Sequence, residues 1–487
     1  MMFLASAQSA MIDACREYRS FMNWTIDHIL SATGGQLLYG SSQDSFAGIG
    51  IDSRIISRDD LFVAIRGARY DGHQFIPAIL DQGIRGVVIE AAARETVDHE
   101  ALKAAQAACV MVTDTTRALG LLASFQRCSA RIPVVAITGS NGKTTTRQMA
   151  SGVAATRFNT LSTQGNLNNE IGLPLTLFNL TTAHQAAVLE LGMNHPGEID
   201  RLAAICRPTI GVITNVGPAH LEFLGSLEAV AQAKAELIDH IDPQGILILN
   251  ADDPLVVAMA QKAGGRKVLL YGTDARSRVR AAKIRDTADG QCFNLLAADK
   301  LVEIQLQARG RFMVSNALAA AGIGMALGID IQDIKSGLET FEQIKGRMSI
   351  IRTGNDVGLI DDTYNANPAS MKAAIESLAT IKGDGPGIVI VGDMLELGLQ
   401  ASEFHQQVGR QAAGIGPARL YACGRHAGDV VNGALEAGMD AAKIFSGSQE
   451  EIAGDLFDHL VPGTWILVKG SRGMAMERVV QKILKKA

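Results

Sequence analysis

The segment from Val134 to Thr146, which reads VVAITGSNGKTTT, constrains the fold more than any other part of the 487-residue chain. Its apolar, largely β-branched start is typical of a buried parallel strand, and a glycine-bearing turn leads into a helix predicted through about Ala155. Glycines in such a turn let backbone N–H groups point inward, and the helix N-terminus adds partial positive charge. The segment therefore predicts a phosphate-binding loop at the carboxyl end of a strand.

Two side chains of this loop suit a nucleoside triphosphate and magnesium. Lys143 can reach the terminal phosphates, and the hydroxyl of Thr144 can ligate Mg²⁺. The residues predicted to bind ATP here are Gly139, Ser140, Asn141, Gly142, Lys143, Thr144 and Thr145. The general pattern G-x-x-x-x-G-K-[ST] has glycine where this chain has Ile137, so the loop is a variant. The alternative is a glycine-rich turn with an incidental lysine, and the order of strand, Gly-Lys-Thr and helix argues against it.

Length and composition favour a multidomain α/β protein. A chain of 487 residues suggests about three domains, and 47% hydrophobic residues suffice for several cores. The formal net charge of −5 gives no reason to expect a nucleic-acid partner or an anionic membrane surface. The 6 cysteines form no C-x-x-C pair, so we expect neither a zinc site nor a disulfide framework but a reduced, cytoplasmic protein.

Residues 1–21 are predicted to be an N-terminal extension. The segment is mildly apolar, but Asp13, Arg16, Glu17 and Arg19 interrupt it. It therefore fits neither a signal peptide nor a membrane-spanning helix, and we expect no membrane insertion.

Residues 22–112 predict a small α/β domain. A helix is expected over 26–32, and buried strands are expected over 86–90 and 110–112. Hydroxyl, cationic and glycine groups suited to an anionic or sugar ligand occur at Ser53, Arg54, Asp71, Gly72 and His73. Surface loops commonly hold such residues, so a solvated loop is the alternative. His73 by itself fits a hydrogen-bonded loop histidine better than a catalyst.

Residues 113–346 alternate predicted strands and helices, which is typical of a doubly wound parallel sheet around the phosphate loop. Strands are predicted over 134–138, 187–190, 211–215 and 246–250. Ligands bind at the carboxyl ends of strands in such sheets. Glu190 ends one predicted strand and His220 follows another, so we predict that both ligate a metal ion opposite Thr144.

Two further features of this region leave alternatives open. The polar stretch 162–172 is either a solvated loop or a binding loop for a polyoxygenated substrate, with candidate residues Asn166, Asn168 and Asn169. Lys234 lies in the helical run LEAVAQAKAEL, whose local sequence predicts an exposed helix lysine.

Residues 347–487 show a second βα alternation, typical of a Rossmann-like α/β domain, with strands predicted over 358–361, 387–391, 419–422 and 465–468. The turn DDTYNANP follows the first of these strands, and the turn GDMLELG follows the second. This region has no G-x-G-x-x-G motif, so a dinucleotide site is not expected.

From about Trp24 onward the chain resembles the three-domain Mur ligases. The resemblance rests on five motifs in order: TGSNGKTTT at 138–146, GNLNNEIGLP at 165–174, ELGMN at 190–194, NVGPAH at 215–220 and DDTYNANP at 361–368. The last motif favours the members that add D-alanyl-D-alanine to UDP-N-acetylmuramoyl-tripeptide. The D-N-P-R motif of the diaminopimelate-adding members is absent.

The resemblance implies a division of labour among three domains. The N-terminal domain would hold the UDP part of the substrate, the central domain would bind ATP and two Mg²⁺ ions, and the C-terminal domain would close over the nucleotide. The resemblance implies a catalytic and metal centre of Lys143, Glu190, His220 and Lys234, the last as a carbamylated Mg²⁺ ligand. It assigns further ATP contacts to Asn316, Arg347, Asp362, Tyr364 and Asn365.

The implied reaction is amide ligation through an acyl phosphate, which completes the cytoplasmic peptidoglycan precursor UDP-MurNAc-pentapeptide. We expect a monomer that acts on small-molecule substrates. One alternative is a Mur-superfamily amide ligase with a different amino acceptor, which the DDTYNANP motif disfavours. The other is a nucleotide-switched binding module, which leaves the N-terminal domain unexplained.

Overall fold

The structure, a computed structural model, describes residues 22–67, 70–287 and 290–486. The N-terminal extension predicted over residues 1–21 lies outside the described residues. Three large sheets of five, nine and six strands follow one another along the described chain. The predicted α/β class is confirmed, whereas the domain limits at residues 112 and 346 stay predictions.

The first sheet has the strand order β2-β7-β6-β5-β4, in which β2 is antiparallel to β7 and the other neighbours are parallel. Its region contains the strands β1 Trp24–Thr25, β2 Gln36–Tyr39, β3 Ser45–Phe46, β4 Gly48–Gly50, β5 Asp60–Val63, β6 Gly86–Glu90 and β7 Ala108–Val112. The helices here are α1 Ile26–Thr33, α2 Ile76–Asp81, α3 His99–Ala104 and α4 Thr115–Ser129. Strands β1 and β3 pair separately. Val88 of β6 packs into one core and Val87 and Ile89 into another, because successive strand residues face opposite sides of the sheet.

The central sheet has the order β16-β15-β14-β13-β12-β11-β8-β10-β9, and its neighbours from β9 to β14 are parallel. The strands are β8 Val134–Thr138, β9 Thr160–Ser162, β10 Ala186–Glu190, β11 Ile210–Ile213, β12 Ile246–Asn250, β13 Lys267–Gly272, β14 Val279–Asp286, β15 Gln291–Ala297 and β16 Lys300–Leu306. The helices are α5 Lys143–Ala155, α6 Gly172–Phe178, α7 Glu198–Cys206, α8 Leu221–Leu224, α9 Leu227–Asp239, α10 Pro254–Ala258, α11 Arg311–Ala326 and α12 Ile331–Glu339.

An antiparallel extension, β14 to β16, was not among the predicted elements of this sheet. The turn between β15 and β16 places Ala298 and Asp299 at φ values of +50° and +60°. Two-residue hairpin turns need positive φ, but the usual sequence signal is Asn-Gly or Asp-Gly, which this turn lacks. The hairpin therefore had no recognisable turn signature.

The third sheet has the order β17-β18-β22-β19-β20-β21, with β17 antiparallel and the rest parallel. Its strands are β17 Ser349–Arg352, β18 Gly358–Asp362, β19 Gly387–Val391, β20 Arg419–Ala422, β21 Ile444–Ser446 and β22 Trp465–Lys469. Its helices are α13 Pro368–Lys382, α14 Ala401–Gly414, α15 Ala427–Glu436, α16 Gln449–Phe457 and α17 Glu477–Lys486. Across the described ranges, no helix is both long enough and apolar enough to cross a membrane.

Candidate functional site

A cavity of about 720 Å³ lies between the central and third sheets. Strands β11, β8 and β10 are neighbours, so their carboxyl ends bring the phosphate loop, Glu190 and the segment after β11 to one place. The third sheet contributes the DDTYNANP segment after β18. The predicted residues that line this cavity are Ser140, Asn141, Gly142, Lys143, Thr144, Thr145, Asn166, Asn168, Asn169, Glu190, His220, Asn316, Arg347, Asp362, Tyr364 and Asn365.

The phosphate loop is held in shape by glycine and by asparagine. Gly142 has φ +79°, and a Cβ there would stand 2.3 Å from Asn316 Oδ1, so a side chain is excluded on both counts. The Asn141 N–H donates to Asn215 Oδ1 at 2.8 Å, and Asn215 Nδ2 donates back to the Asn141 carbonyl at 3.0 Å. These contacts fix the loop against the end of β11.

Lys143 lies at the start of α5 and points back into its own loop. Its Nζ donates to the Gly139 carbonyl at 2.7 Å and to the Ser140 carbonyl at 3.3 Å. Burial is the main reason that its pKa lies below the usual value, with Glu190 opposing and Arg347 reinforcing that shift. An anionic phosphate would supply the charge that these neutral carbonyls lack.

Glu190 ends β10 and is only 2% exposed. One carboxylate oxygen accepts from Asn168 Nδ2 at 2.8 Å. The other receives no hydrogen bond, although Arg147 Nε lies 3.5 Å away. A buried carboxylate oxygen without a donor fits a cation, because ionised carboxylates are the oxygen ligands that Mg²⁺ uses.

Two other predicted metal donors are Thr144, which is 7% exposed, and His220. His220 Nδ1 lies 2.6 Å from Glu396 Oε2, and this contact lowers the pKa of Glu396. Within the described part of the chain, no three His, Cys, Asp or Glu side chains form a ready-made metal cluster. This donor set fits Mg²⁺ rather than a structural metal, since Mg²⁺ usually takes one or two carboxylates and completes its shell with phosphates and water.

Lys234 lies in α9 and is 1% exposed, so the prediction of an exposed helix lysine is wrong. Helix α9 packs against α7 and β11, and local sequence alone does not show such packing between elements. Burial places the pKa of Lys234 well below the usual lysine value, and the nearby Lys143 charge adds to this. No carboxylate of the described residues pairs with its amino group at ion-pair distance.

The residues predicted to contact nucleotide from the third sheet form a connected group. The Arg347 guanidinium lies 4.0 Å from the centre of the Tyr364 ring, which is a cation–π contact. Asp362 accepts from Lys469 Nζ at 2.5 Å, and Lys469 also donates to the Asn365 carbonyl at 2.8 Å. Lys469 is 2% exposed, so a buried ammonium group holds the segment from Asp362 to Asn365 in place.

The five residues predicted to hold the UDP part of the substrate do not line the cavity. Arg54 is exposed and pairs with Asp52, with Nη2 2.6 Å from Oδ2. His73 is buried; its Nδ1 lies 2.5 Å from Asp71 Oδ1, and its Nε2 accepts the Glu90 N–H at 2.9 Å. His73 is thus a hydrogen-bonded loop histidine, and the UDP-binding role of this region stays a prediction.

Three residues that sequence reasoning did not single out complete the site. Arg147 lies one helical turn beyond Lys143 and faces Glu190. Asn367 Nδ2 donates to Asn141 Oδ1 at 2.8 Å, and Glu396 contacts His220, so both cross from the third sheet to the central one. Asn367 lies in the quoted DDTYNANP turn and Glu396 in the GDMLELG turn, but nothing local in either turn shows which residue reaches across.

The arrangement combines cationic side chains, backbone N–H groups at a helix N-terminus and a buried carboxylate oxygen that accepts no hydrogen bond. The first two are suited to bind polyphosphate, and the third is suited to ligate an accompanying cation. Because the cavity is formed by two sheets, a ligand bound there contacts both. This is the geometry of a phosphoryl-transfer site.

Comparison with known proteins identifies the family. The model described as Mur ligase family, catalytic domain, matches residues 45–127; Mur ligase middle domain matches 137–324; and Mur ligase, glutamate ligase domain, matches 346–472. The UDP-N-acetylmuramoyl-tripeptide–D-alanyl-D-alanine ligase of Escherichia coli (strain K12) is 37% identical over 435 residues, which is 89% of this chain and 92% of that protein.

Solved structures agree with this identification. MurF from Acinetobacter baumannii matches with a TM-score of 0.86 and 32% identity, over 96% of this chain and 99% of that one. The MurF ligase of Thermotoga maritima, solved in complex with ADP, matches with a TM-score of 0.79 and 29% identity, over 90% and 97% of the two chains. The resemblance drawn from the five sequence motifs is thereby confirmed. The chain belongs to the Mur ligase family.

Proposed function

We propose that this protein is an ATP-dependent amide ligase that joins D-alanyl-D-alanine to UDP-N-acetylmuramoyl-tripeptide. The observation that carries the proposal is that the phosphate loop and the DDTYNANP segment line one cavity and touch through Asn141 and Asn367. The names of the similar ligases supply the two substrates. The ADP complex of the Thermotoga maritima relative supports ATP as the nucleotide.

The chemistry follows from the poor reactivity of a carboxylate toward an amine. The terminal carboxylate of the tripeptide attacks the γ-phosphorus of ATP, the bond to the bridging oxygen breaks, and ADP leaves with an acyl phosphate formed. The amine of D-alanyl-D-alanine then attacks the acyl carbon, and the tetrahedral intermediate expels inorganic phosphate. The attacking nitrogen loses a proton, and an amide remains.

The first step brings two anions together, so the site must neutralise charge. We assign Lys143 to the terminal phosphates. Phosphate oxygens would replace the carbonyl groups as hydrogen-bond partners of its ammonium group. Thr144, Glu190 and His220 would hold Mg²⁺, of which we propose two ions, and bound Mg²⁺ would neutralise phosphate charge and orient the phosphates. Arg147 balances the carboxylate of Glu190. Positioning and electrostatic stabilisation then account for most of the rate.

Lys234 suits a covalent change that removes its positive charge. Burial favours its neutral amine, whose nitrogen can form a bond to the carbon of CO₂ and lose one proton to give a carbamate, which is an anionic oxygen ligand. We therefore propose that carbamylated Lys234 contributes to holding the second Mg²⁺ ion.

The remaining contacts are assigned by position. We propose that Asn316, Arg347, Asp362, Tyr364 and Asn365 contact the nucleotide and that Asn166, Asn168 and Asn169 contact the peptide substrate, because all of them line the cavity. We propose that the region around Ser53, Arg54, Asp71, Gly72 and His73 binds UDP.

Docking of the third sheet on the central one excludes water that would hydrolyse the acyl phosphate. We propose a monomer that acts in the cytoplasm, where ATP is available.

The test is phosphate release from ATP by purified protein in Mg²⁺ buffer, with each substrate added singly and both together. Release that requires both UDP-MurNAc-tripeptide and D-alanyl-D-alanine is the expected result. Release with the tripeptide and a different amine would assign the protein to another acceptor. Release in no combination would overturn the proposed ligase activity.

A further inference from the structure

Glu396 is the residue through which the third sheet reaches a predicted metal ligand. Its Oε2 lies 2.6 Å from His220 Nδ1, and its backbone carbonyl accepts the Glu222 N–H at 3.1 Å. One residue of the GDMLELG turn therefore makes both a side-chain and a backbone contact with the start of α8. No other hydrogen bond of the His220 ring is made within the described ranges.

The backbone at both ends of this contact is unusual. His220 has φ +58° and Glu396 has φ +64°, in the left-handed region that residues other than glycine rarely adopt. Residues stay in such a conformation only where the surrounding structure imposes it, and they cluster at functional sites. Here the two conformations aim one side chain at the other across the contact between the two sheets.

The turn that carries Glu396 is tied firmly to its own sheet. The Met394 N–H donates to His405 Nε2 at 2.9 Å, and the Leu395 N–H donates to Ser471 Oγ at 2.9 Å. The Ser471 N–H in turn donates to the Asp393 carbonyl at 2.9 Å. Glu396 therefore moves with the third sheet and not as an independent loop.

We propose that Glu396 is a positioning residue that accepts the Nδ1–H of His220 and so fixes the tautomer and orientation of the imidazole when the third sheet is docked. The proton on Nδ1 leaves the lone pair on Nε2, which is the form in which histidine ligates a divalent cation. A carboxylate behind a ligating histidine also raises its basicity. The inference rests on the metal role proposed for His220.

The consequence is a coupling between docking and metal binding. When the third sheet moves away, Glu396 leaves and His220 loses its fixed ring orientation. Metal affinity should therefore be highest in the docked form.

The test uses the full chain saturated with a non-hydrolysable ATP analogue and titrated with Mn²⁺ as the probe, with free Mn²⁺ followed by electron paramagnetic resonance. Glu396→Asn shortens the side chain while tolerating the left-handed backbone, and Glu396→Gln removes only the charge. We expect the Mn²⁺ Kd to rise by about 10- to 100-fold in Glu396→Asn and by less in Glu396→Gln. Glu222→Gln, which removes a neighbouring exposed charge, is the matched control and should leave the Kd unchanged.

A His220→Gly variant separates this inference from the metal assignment, since glycine adopts φ +58° without strain. If His220→Gly weakens Mn²⁺ binding and Glu396→Asn does not, the positioning role of Glu396 is overturned while the metal role of His220 stands. If His220→Gly leaves binding unchanged, both are overturned. Adding Glu396→Asn to His220→Gly should cause no further loss, because both act through one contact. Thermal unfolding of each variant confirms that it is folded.

Discussion

At the scale of single residues, Lys143 illustrates how a loop prepares a cation for a ligand. Its Nζ is held by two carbonyl groups of its own loop, and burial lowers its pKa. A carbonyl offers only a partial negative charge, so an incoming phosphate is a better partner than either. The lysine is already oriented by the loop, so binding requires little rearrangement.

Lys143→Met should remove phosphoryl transfer while the fold survives. Loss of a preorganised cation at the transferring phosphate typically costs about 10²–10³-fold in rate. The measurement is phosphate release with both substrates, with the exposed Lys262 changed to Met as control. Near-normal turnover in Lys143→Met would contradict the assignment of the phosphate loop.

Lys234→Met should make the protein more stable and less active. Methionine fills similar space and avoids the cost of removing the proton that a lysine keeps in the unfolded chain, so the free energy of unfolding should rise. Turnover should fall by at least about 10²-fold, because an electrostatic contribution at the reacting phosphates is lost. Urea unfolding and phosphate release measure the two effects, and a less stable variant would contradict the account.

The buried amine of Lys234 should make the free energy of unfolding depend on pH. Between the lowered pKa of Lys234 and about 10.5, the unfolded chain retains a proton that the folded chain has released. The free energy of unfolding of the unmodified protein should therefore rise with pH in that window. In CO₂-depleted buffer, Lys234→Met should lack this rise. An identical slope in both proteins would show that Lys234 is not titrating in the fold.

At the scale of elements, the phosphate-loop helix α5 is held by close packing against α12. A Cβ on Gly337 would stand 2.5 Å from Val153 Cα, and Gly152 O lies 2.9 Å from the same point. Neither atom belongs to a flexible side chain, so the two helices approach this closely only because residue 337 is glycine.

Gly337→Ala should therefore destabilise the protein by about 1–3 kcal/mol through overpacking. Gly454 lies in α16 with no atom near its would-be Cβ, so Gly454→Ala should stabilise by about 0.4–1 kcal/mol. Urea unfolding of the two variants gives effects of opposite sign. Destabilisation by both would mean that the cost comes from a general intolerance of helices to the change and not from the α5–α12 contact.

Elements with strong local signals could be predicted closely. The strands at 134–138, 246–250, 387–391 and 419–422 agree with β8, β12, β19 and β20 because each is an apolar run bounded by turn residues. The extension from β14 to β16 was missed because its hairpin turn lacks the usual residues. The burial of Lys234 was missed because it depends on packing between elements far apart in sequence.

At the scale of the whole molecule, Asn367 joins two functions that mutation can separate. Its side chain caps α13 by accepting the Ser370 N–H at 2.9 Å, and its Nδ2 donates to Asn141 Oδ1 in the phosphate loop. Asn367→Ser keeps a capping group but cannot make the longer contact, so the KM for ATP should rise with little change in stability. Asn367→Ala should have the same raised KM for ATP as Asn367→Ser. Its free energy of unfolding should be lower by a further ~0.5–2 kcal/mol, because the helix cap is also lost.

Equal stability of the serine and alanine variants would show that the cap is unimportant. An unchanged KM for ATP in both would show that the link between the two sheets does not shape the nucleotide site.

Prediction from sequence reached the members of the site but not all of its contacts. Four of the quoted motifs line one cavity because they follow strands of the central sheet, whose carboxyl ends lie together, and the fifth, DDTYNANP, reaches the cavity from the third sheet. The pairs Asn141–Asn367 and His220–Glu396 join residues on different sheets, and no pattern within either segment encodes the partner. The candidate UDP-binding residues lie outside the cavity. The sequence assigns them to the N-terminal region but does not show which surface of that region binds substrate.

The central claim is that ligation proceeds through an acyl phosphate, and oxygen transfer tests it most directly. The tripeptide substrate is labelled with ¹⁸O in its terminal carboxylate and incubated with ATP, Mg²⁺ and D-alanyl-D-alanine. We expect an amide product whose mass is that of the substrate plus the dipeptide less water, with one ¹⁸O atom kept in the new amide. We expect the other ¹⁸O atom in the released inorganic phosphate. Amide product with unlabelled phosphate would contradict the acyl-phosphate route, and labelled phosphate without amide product would contradict D-alanyl-D-alanine as the acceptor.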